Sequence, residues 1–430
     1  MESAGGFTPA ASIGCSDQWR NQWRTRGVFL RDETKLETNL RELGLAVSGG
    51  GDSVALLHLA VAAGLPVRVV TVEHGLRAEA ATEAAGVARV CAGLGVAHEI
   101  LRWRWDGRGN VQDAARRGRR AVMAEWARDA GVGVVALGHT RDDVAETLVM
   151  RLARGAGVDG LAAMAGVWDE GEVRWLRPLL GVGRAELRAY LRGIGVDWVE
   201  DPSNDNLRFD RVRARKALVV LGPLGLTVER LAEVAGHLAQ AREALEVAGD
   251  AAAVAVLRED CGTVWVNNVA LAALPVEVQR RLILRVIGWI GAAEYAPRGA
   301  AVTRLLGQVL AGKPGVLAGV RVGVTEAGVL AYREAKAVAG LISTPDQLWD
   351  GRWQVSGPVP EGADVRMLGA GIALCPDWRA AGLPRAALMA GPALWLQDRL
   401  IAAPLAGLAP EFSFIPLSGA AALHQCAIEH

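Results

Sequence analysis

Between residues 43 and 200, short segments rich in β-branched residues alternate with segments whose apolar residues recur at helical spacing. Strands are predicted at 43–47, 67–74, 98–105, 133–139 and 172–179, and helices at 53–63, 79–94, 111–130, 142–153 and 184–194. This alternation favours parallel strands joined by right-handed crossovers, with helices on both faces of one sheet. The sequence therefore predicts an α/β domain with a doubly wound parallel sheet. Ligands of such sheets bind beyond the carboxyl ends of the strands, where Ser48, His74 and His139 fall.

The rest of the chain differs in composition from this alternating region. Residues 1–38 are polar and lack periodicity, whereas helical segments at 226–258, 275–292 and 300–311 dominate the middle of the chain. From residue 315, short strands are separated by Gly and Pro. We therefore predict an irregular N-terminal extension (1–38), the α/β domain (39–222), a helical linker and middle domain (223–312), and a small α+β C-terminal domain (313–430).

Charge and cysteine content limit the possible functions. The 430 residues include 47 Lys and Arg and 47 Asp and Glu, so a surface for nucleic acid has to be a local patch. The five cysteines are far apart and lack metal-ligand spacing, which argues against an iron–sulfur or structural zinc site and suits a reduced compartment. We see neither a signal peptide nor a membrane span in the pattern, so we expect a cytoplasmic protein without membrane contact.

A glycine loop, SGGGDS from Ser48 to Ser53, lies between the first predicted strand and the first predicted helix. Backbone N–H groups of such a turn and the following helix N-terminus together form an anion site. The loop is not a Walker A motif, because no Lys follows the glycines, and Val54 breaks the dinucleotide pattern GxGxxG. A tight turn with a capping Asp-Ser pair is the simpler alternative.

The loop resembles the pyrophosphatase loop (PP-loop) of ATP-dependent adenylating enzymes, which have a Rossmann-like sheet and release pyrophosphate. Further stretches at 72–77, 109–120, 137–164 and 175–218 occur in order and resemble the tRNA(Ile)-lysidine synthetase family. This resemblance implies that ATP is bound by Ser48, Gly49, Gly50, Gly51, Asp52 and Ser53. A carboxylate beside phosphates is favourable when a divalent cation bridges them, so Asp52 also predicts Mg²⁺.

The resemblance implies a reaction in two steps. In that family, the oxygen at carbon 2 of the wobble cytidine attacks the α-phosphate of ATP and pyrophosphate leaves. The amine of free lysine then attacks carbon 2 and expels AMP, leaving lysidine. The implied partners are free lysine and an isoleucine tRNA with a CAU anticodon, and the implied enzyme is a ligase that forms a C–N bond.

Two acids and two histidines are candidate site residues. Asp143 and Glu146 are three residues apart, so they share a helix face, and they match the acids of the family's DDxAET stretch. They are predicted to bind metal, with Asp52, or to deprotonate the lysine amine, although Thr140 with Asp143 is also a capping box. His139 matches a family histidine near the nucleotide and is a catalytic candidate. His74 has the same standing, and Arg77 is a candidate for phosphate or carboxylate contact.

Basic residues after residue 207 form a candidate nucleic-acid surface. Spacing of two would place Arg211, Arg213 and Arg215 on one side of an extended segment, with Arg208 beside them. We predict that these residues and Arg116 contact phosphates of tRNA or of the nucleotide. A solvated basic surface is the alternative.

Two other functions remain open from the sequence. Another PP-loop adenylating enzyme is possible, such as a tRNA thiolase or an amidotransferase-type synthetase, although clustered cysteines for a thiolase are missing. The second of these other functions is that of a nucleotide-binding sensor without turnover. Retention of Asp52, Asp143 and Glu146 together disfavours the sensor.

Overall fold

A computed structural model describes residues 42–73, 80–105, 111–200, 208–291, 297, 299–325, 328–417 and 423. The chain forms two compact units that divide between Gln240 and Ala241. The domain boundaries predicted at 38, 222 and 312 stay predictions. Within the described part of the chain, no helix is both long and apolar enough to cross a membrane.

The N-terminal unit contains the predicted alternation of strands and helices. Its strands are β1 (Leu43–Ala46), β2 (Val67–Glu73), β3 (Ala97–Arg102), β4 (Val134–Leu137), β5 (Val167–Glu170) and β6 (Val173–Leu176). Its helices are α1 (Gly51–Ala62), α2 (Ala80–Leu94), α3 (Val111–Asp129), α4 (Arg141–Leu152), α5 (Val158–Leu161), α6 (Arg184–Gly193) and α7 (Asp210–Leu221). Helix α8 (Val228–Val256) runs past the division at residue 240.

The strands form one sheet in the order β3-β2-β1-β4-β6-β5. All neighbouring pairs are parallel except β5 and β6, which form an antiparallel hairpin. The doubly wound parallel sheet is thus confirmed, with β5 as an additional edge strand that the sequence did not predict. Four residues with alternating burial and a glycine turn give too short a pattern to distinguish from a loop.

Side chains of alternate strand residues build a separate core on each face of the sheet. On one face, residues of β1 pack with residues of α1 and α6, including Leu43, Leu45, Leu56, Leu57 and Leu187. On the other face, strand residues pack against α3, including Val70, Val135, Trp175, Met123 and Trp126. Burial on both faces leaves the strand ends as the only edge where loops can carry polar groups.

The carboxyl ends of β1 and β4 are adjacent because these two strands pair directly. The chain leaves β1 for β2 on one side, whereas β4 lies on the other side, so β1 and β4 flank the point where strand order reverses. Ser48 and His139 lie just beyond these strand ends, as predicted. His74 follows β2 but lies outside the described residues.

The C-terminal unit is built on antiparallel pairs. Its strands are β7 (Leu257–Asp260), β8 (Thr263–Val266), β9 (Gly315–Leu317), β10 (Val320–Thr325), β11 (Gly328–Arg333), β12 (Trp353–Ser356), β13 (Asp364–Met367), β14 (Pro392–Leu396), β15 (Arg399–Ala402) and β16 (Ser413–Pro416). Its helices after α8 are α9 (Asn268–Ala272), α10 (Val276–Gly291), α11 (Gly299–Leu310), α12 (Ala335–Val338) and α13 (Arg385–Ala390). A five-stranded sheet, β7-β8-β11-β10-β9, shares its core with α10 and α11.

A buried arginine stabilises this second unit. Arg352 is 5% exposed, and its guanidinium donates to the carbonyl oxygens of Ile290 at 2.6 Å and Gly262 at 2.7 Å. The same guanidinium lies over the rings of Trp289 and Trp353, at 5.0 and 5.2 Å. The backbone acceptors and the aromatic faces thus offset the cost of burying the Arg352 charge in an apolar core.

Candidate active site

The loop Ser48–Ser53 leaves the carboxyl end of β1 and enters α1. Gly49 has a φ of 90°, a left-handed conformation that a side chain would strain. The Ser53 hydroxyl donates to the Gly50 carbonyl oxygen at 2.9 Å and accepts from the Ser48 N–H at 3.1 Å, which closes the turn. Because α1 begins at Gly51, the N–H groups at the start of the helix lie at the end of the loop. This is the geometry of a phosphate site.

Two neighbouring segments fix the position of this loop. The Val199 N–H donates to the Gly49 carbonyl oxygen at 3.1 Å, within an isolated parallel bridge between residues 50 and 199. On the other side, Gly138, the residue after β4, packs against the loop. A Cβ at this position would lie 3.0 Å from the Ser53 Cα. A side chain at Gly138 would therefore push the loop away from the strand ends.

Two acids of α4, Asp143 and Glu146, combine a structural and a chemical role. The Asp143 Oδ2 accepts from the Thr140 N–H at 2.8 Å and from the Thr140 hydroxyl at 2.9 Å, so the capping interaction is confirmed. This leaves the Asp143 Oδ1 for other partners. Glu146 lies one turn further along the same face and is 1% exposed.

A single arginine joins the loop acid to the two helix acids. Arg184, the first residue of α6, donates from Nε to Asp52 Oδ2 at 3.1 Å and from Nη1 to Glu146 Oε1 at 2.9 Å. Its Nη2 lies 3.4 Å from Asp143 Oδ1. The Arg184 N–H also donates to Asp142 Oδ2 at 2.7 Å, which anchors its backbone. The three acids, which were predicted from two separate motifs, therefore meet at one guanidinium.

Three further arginines complete this cluster, each on one acid. The contacts are Arg188 Nη1 to Asp52 Oδ1 at 3.0 Å, Arg211 Nη1 to Asp143 Oδ1 at 3.5 Å, and Arg215 Nε to Glu146 Oε1 at 2.9 Å. We call these four arginines and three acids the acid–arginine cluster. Burial by itself raises the pKa of Asp143, but Arg211 and Arg184 outweigh it and the net shift is downward. Asp143 is thus held ionised by protein cations.

The cluster does not fit a preformed Mg²⁺ site. Both Asp52 oxygens bind guanidinium groups, and Asp143 Oδ2 is used by the helix cap. Among the described residues, no group of three His, Cys, Asp or Glu side chains is arranged to hold a metal ion. Two arginines, Arg184 and Arg188, neutralise Asp52 in this structure. That Asp52 and Asp143 bind Mg²⁺ in the presence of ATP stays a prediction.

His139 lies beyond β4 and is held by Arg177. The Arg177 Nε donates to His139 Nδ1 at 3.3 Å, its Nη1 donates to the Ala165 carbonyl oxygen at 2.7 Å, and its guanidinium lies 3.9 Å from the Trp168 ring centroid. Burial lowers the pKa of His139 to about 3, with Arg177 the next contributor. An Nδ1 that accepts from a guanidinium leaves the ring proton on Nε2, so His139 is a neutral donor.

The basic segment after residue 207 is helical, so the extended arrangement is wrong. Arg211 and Arg215 are four apart in α7 and face Asp143 and Glu146. Arg213 points elsewhere and pairs with Asp210. Charges that alternate along the chain are compatible with both a strand and a helix when apolar residues are few.

The other predicted site residues, Arg208, Arg116, His74 and Arg77, are not members of the acid–arginine cluster. Arg208 precedes α7 and Arg116 lies on α3, and both are exposed. His74 and Arg77 lie outside the described residues. Their proposed contacts with tRNA or nucleotide stay predictions.

Sequence reasoning missed Arg184, Arg188 and Arg177. One signal was available for Arg184, because a cation at the first position of a helix opposes the helix dipole and requires nearby carboxylates. Arg188 follows one turn later on the same helix. For Arg177 no signal in the sequence distinguishes it from other arginines, since two of its partners, Ala165 and Trp168, lie just before and within the unpredicted strand β5.

The chain is similar in sequence to one protein family and to several named proteins. The family described as the PP-loop domain matches residues 28–221. A protein from Ruegeria pomeroyi named tRNA(Ile)-lysidine synthase is 50% identical over 376 residues, covering 86% of this chain and 90% of its own length. Proteins of the same name from Zymomonas mobilis and Rhizobium meliloti are 41% and 37% identical, covering 65% and 74% of this chain and 84% and 74% of theirs.

Proposed function

This chain belongs to the tRNA(Ile)-lysidine synthase family, and from that premise we propose that it joins free lysine to carbon 2 of the wobble cytidine of an isoleucine tRNA. It is a ligase that uses ATP through its PP-loop domain. The tRNA carries a CAU anticodon, the products are lysidine, pyrophosphate and AMP, and the reaction takes place in the cytoplasm. The relatives' shared name favours this activity over a thiolase, an amidotransferase-type synthetase or a sensor.

The observation that carries the proposal is the meeting of a phosphate-binding loop with two helix acids at Arg184. Adenylation requires that the α-phosphate of ATP lies at the loop, where N–H groups and arginines offset the charge of the departing pyrophosphate. Transfer of lysine to carbon 2 of the cytidine requires a proton acceptor within reach of that carbon. The acid–arginine cluster supplies both kinds of group at one strand edge.

In the first step, the oxygen on carbon 2 of the cytidine forms a bond to the α-phosphorus and pyrophosphate leaves. Neutral His139 has an N–H on Nε2 that can donate to an oxygen of the nucleotide or base. In the second step, the lysine amine bonds to carbon 2, the C–O bond breaks and AMP leaves. Glu146 is suited to accept the amine proton, because its Oε2 is buried and has no hydrogen-bond partner.

Mg²⁺ is part of this proposal as the companion of ATP. When bound, it neutralises phosphate charge beside the loop. Asp52 and Asp143 are its proposed protein ligands, provided that their arginine partners move. Protein residues account for the positioning: the loop for phosphates, His74 and Arg77 for the nucleotide, and Arg116, Arg208, Arg211, Arg213 and Arg215 for phosphates of RNA or ATP.

Incubation with ATP, Mg²⁺, labelled lysine and total tRNA tests the activity. We expect label in tRNA, and we expect it to disappear when any one component is omitted. A tRNA transcript whose wobble cytidine is replaced by uridine is the matched control and should stay unlabelled. Label in that control, or none in the complete mixture, would contradict the proposal.

Amide variants separate the two steps. If Glu146 serves the lysine amine, Glu146→Gln should accumulate adenylated tRNA without transferring lysine. If Asp143 is needed for metal and phosphate, Asp143→Asn should not form adenylated tRNA at all. Trapping adenylated tRNA in the absence of lysine distinguishes the two acids, and unchanged rates in both variants would reject both roles.

A further inference from the structure

The segment 198–200, which follows helix α6 in the chain, lies directly against the glycine loop. The Val199 N–H donates to the Gly49 carbonyl oxygen at 3.1 Å, and Gly50 and Val199 form a parallel bridge. A Cβ at Gly49 would lie 3.9 Å from the Val199 side chain, so the two chains are in van der Waals contact at the turn. The loop thus has a backbone partner outside its own turn.

The side chain of Trp198 packs on Gly51, the first residue of α1. A Cβ at Gly51 would be 3.1 Å from Cδ1 of the indole and 3.3 Å from its Cγ and Nε1, which is closer than ordinary van der Waals contact. A side chain at residue 51 would therefore displace the ring or the loop. The N–H groups at the start of α1 belong to the phosphate site, so the Trp198 ring supports the donors of that site.

Helix α6 and Glu200 hold the Trp198 ring in place. The guanidinium groups of Arg188 and Arg192, one turn apart on α6, lie 5.8 and 6.0 Å from the ring centroid. The indole N–H donates to Glu200 Oε1 at 3.1 Å, and Arg188 Nε lies 3.5 Å from the same oxygen. Because both the ring and the N–H have partners, these contacts favour one orientation of the indole.

Arg188 connects this tryptophan to the carboxylate of the loop. Its Nη1 donates to Asp52 Oδ1 at 3.0 Å, while its Nε faces Glu200. Contacts therefore run from Gly51 through Trp198, Glu200 and Arg188 back to Asp52, the residue that follows Gly51. The backbone and the acid of the loop are thus both held through Trp198.

We propose that Trp198 is a positioning residue for the phosphate site, which holds the N–H groups at the start of α1 and the Asp52 carboxylate in the arrangement that binds the pyrophosphate part of ATP. This inference rests on the proposed function for the identity of the nucleotide. Donors that are already in position bind an anion more tightly than donors that have to be ordered on binding. Trp198 acts through the loop, so it affects binding of the β- and γ-phosphates and not of adenosine.

Binding of ATP and of AMP, each measured by calorimetry without tRNA or lysine, tests this role. Trp198→Leu removes the ring from Gly51 and the N–H donor from Glu200, so affinity for ATP should fall about tenfold. Affinity for AMP, which lacks the pyrophosphate part, should stay unchanged. Equal losses for ATP and AMP would mean that Trp198 does not act on the pyrophosphate site alone, and unchanged ATP affinity would mean that the ring does not act on the loop. Either result overturns the proposal.

Two further tryptophan variants complete this experiment. Trp198→Phe keeps a ring beside Gly51 and loses only the N–H donor, so its ATP affinity should fall about threefold, as for one lost hydrogen bond. This variant decides the question by the same ATP and AMP measurements if circular dichroism shows that Trp198→Leu does not fold. Trp105→Leu is the matched control, because Trp105 is 41% exposed and follows β3, which lies two strands from β1. Its affinity for both nucleotides should equal that of the unchanged protein.

A substitution at Gly51 tests the contact itself. Gly51→Ala places a methyl group where the Trp198 ring lies, so it should weaken ATP binding when the ring is present. Combined with Trp198→Leu it should cause no further loss, because the ring that the methyl group displaces is gone. Equal losses from Gly51→Ala with and without the ring would contradict the proposal. Since tRNA and lysine are absent, these outcomes are separate from the lysine-labelling assay, whose failure would reject the proposed function instead.

Discussion

Two arginines, the partly buried Arg184 in the N-terminal unit and the buried Arg352 in the C-terminal unit, have opposite surroundings. Arg184 is bound by three carboxylates, whereas Arg352 is bound by two backbone carbonyl oxygens and two tryptophan rings. Burial would lower the pKa of both. The carboxylates outweigh burial at Arg184 and raise its pKa, but burial lowers the pKa of Arg352 to about 10.

The difference separates a charge used for chemistry from a charge used for structure. Carboxylates are side chains that can change partner when a phosphate or a cation arrives, so the Arg184 contacts can be exchanged. Backbone carbonyls are fixed by the fold, and leaving them without a donor costs the full penalty of a buried unpaired group. We therefore expect substitutions around Arg184 to change catalysis, and substitution of Arg352 to change stability.

The largest effect is expected for Asp52→Asn, which tests the catalytic side of the comparison. Asn keeps the size but removes the charge proposed to act with Mg²⁺ and ATP, so pyrophosphate release should fall about a hundred- to a thousandfold. The thermal unfolding midpoint should change little, because the amide oxygen still accepts from one arginine, while Arg184 keeps Glu146 and Arg188 keeps Glu200 as further partners. Pyrophosphate release and melting are measured on the same preparation, and full activity would contradict the assignment.

Arg352→Met tests the structural side of the comparison. It leaves two carbonyl oxygens without a donor in the core of the C-terminal unit, so the free energy of unfolding should fall by about 3 kcal/mol. Turnover per folded molecule, measured well below the melting transition with saturating tRNA, should stay unchanged. Chemical denaturation followed by tryptophan fluorescence gives the stability.

Arg379→Met is the control for that substitution. Arg379 is an exposed arginine that lies 4.5 Å from the Trp378 ring centroid in the same unit. Its loss should cost less than about 1 kcal/mol, as for exposed contacts in general. Equal destabilisation by both variants would remove the distinction between the buried and the exposed arginine.

His139 gives a smaller effect that depends on pH. Its pKa is about 3 in the folded protein, because burial and then Arg177 lower it, against 6.5 as the ordinary value. Between these two pKa values His139 is protonated in the unfolded chain but neutral in the folded protein. Its contribution to stability is therefore lost as the pH falls. Unfolding free energy should drop by about 1 kcal/mol more in the unchanged protein than in His139→Gln, between about pH 7.5 and pH 5.5.

Other charges around His139 belong to that prediction. Asp143 on α4 raises its pKa, whereas Arg211 on α7 and Arg116 on α3 lower it. The comparison with His139→Gln cancels titrations elsewhere, which both proteins share. If His139 served as a proton shuttle near neutral pH, the activity profile would break near 6.5 and the stability difference would vanish.

The fold was largely predictable, because its signal is carried by many residues. The strands β1, β2, β4 and β6 and the helices beside them bury several apolar side chains at a fixed period, so the pattern survives the exposed edge strand β3. The β5 hairpin was not predicted, because four half-exposed residues are too few to establish a period. At 208–216, alternating arginines suggested an extended segment, but Val212, Ala214 and Leu218 bury the face of a helix.

The three acids were predicted as site residues, and so were Arg211 and Arg215, but Arg184, Arg188 and Arg177 were not. Asp52, Asp143 and Glu146 stand out because carboxylates beside a glycine loop or at a helix start are few. Arginines are common and long, so their partners depend on which helix ends meet at the strand edge. Only the fold shows that Arg184 reaches three acids from two separate elements.

The smallest expected effect concerns the salt dependence of tRNA binding, and it sharpens the same comparison within α7. Arg211 and Arg215 are committed to the acids, whereas Arg213 is 61% exposed and pairs with Asp210 on its own helix. We therefore expect Arg213→Ala to weaken binding to every tRNA about equally, with the slope of log affinity against log salt shallower by roughly 0.7 to 0.9.

Arg211→Ala is the matched variant for this measurement, since it removes an equal charge two residues away. It should leave the salt slope unchanged and reduce ATP-dependent pyrophosphate release, because Asp143 loses one of its partners. ATP binding measured without tRNA should be unaffected by Arg213→Ala. Filter binding over a series of salt concentrations gives the slope, and the same slope for both variants would mean that α7 does not divide its arginines between RNA and the acids. A slope that changed only in Arg211→Ala would reverse the assignment, with the acid-facing side of the helix as the one that meets phosphate.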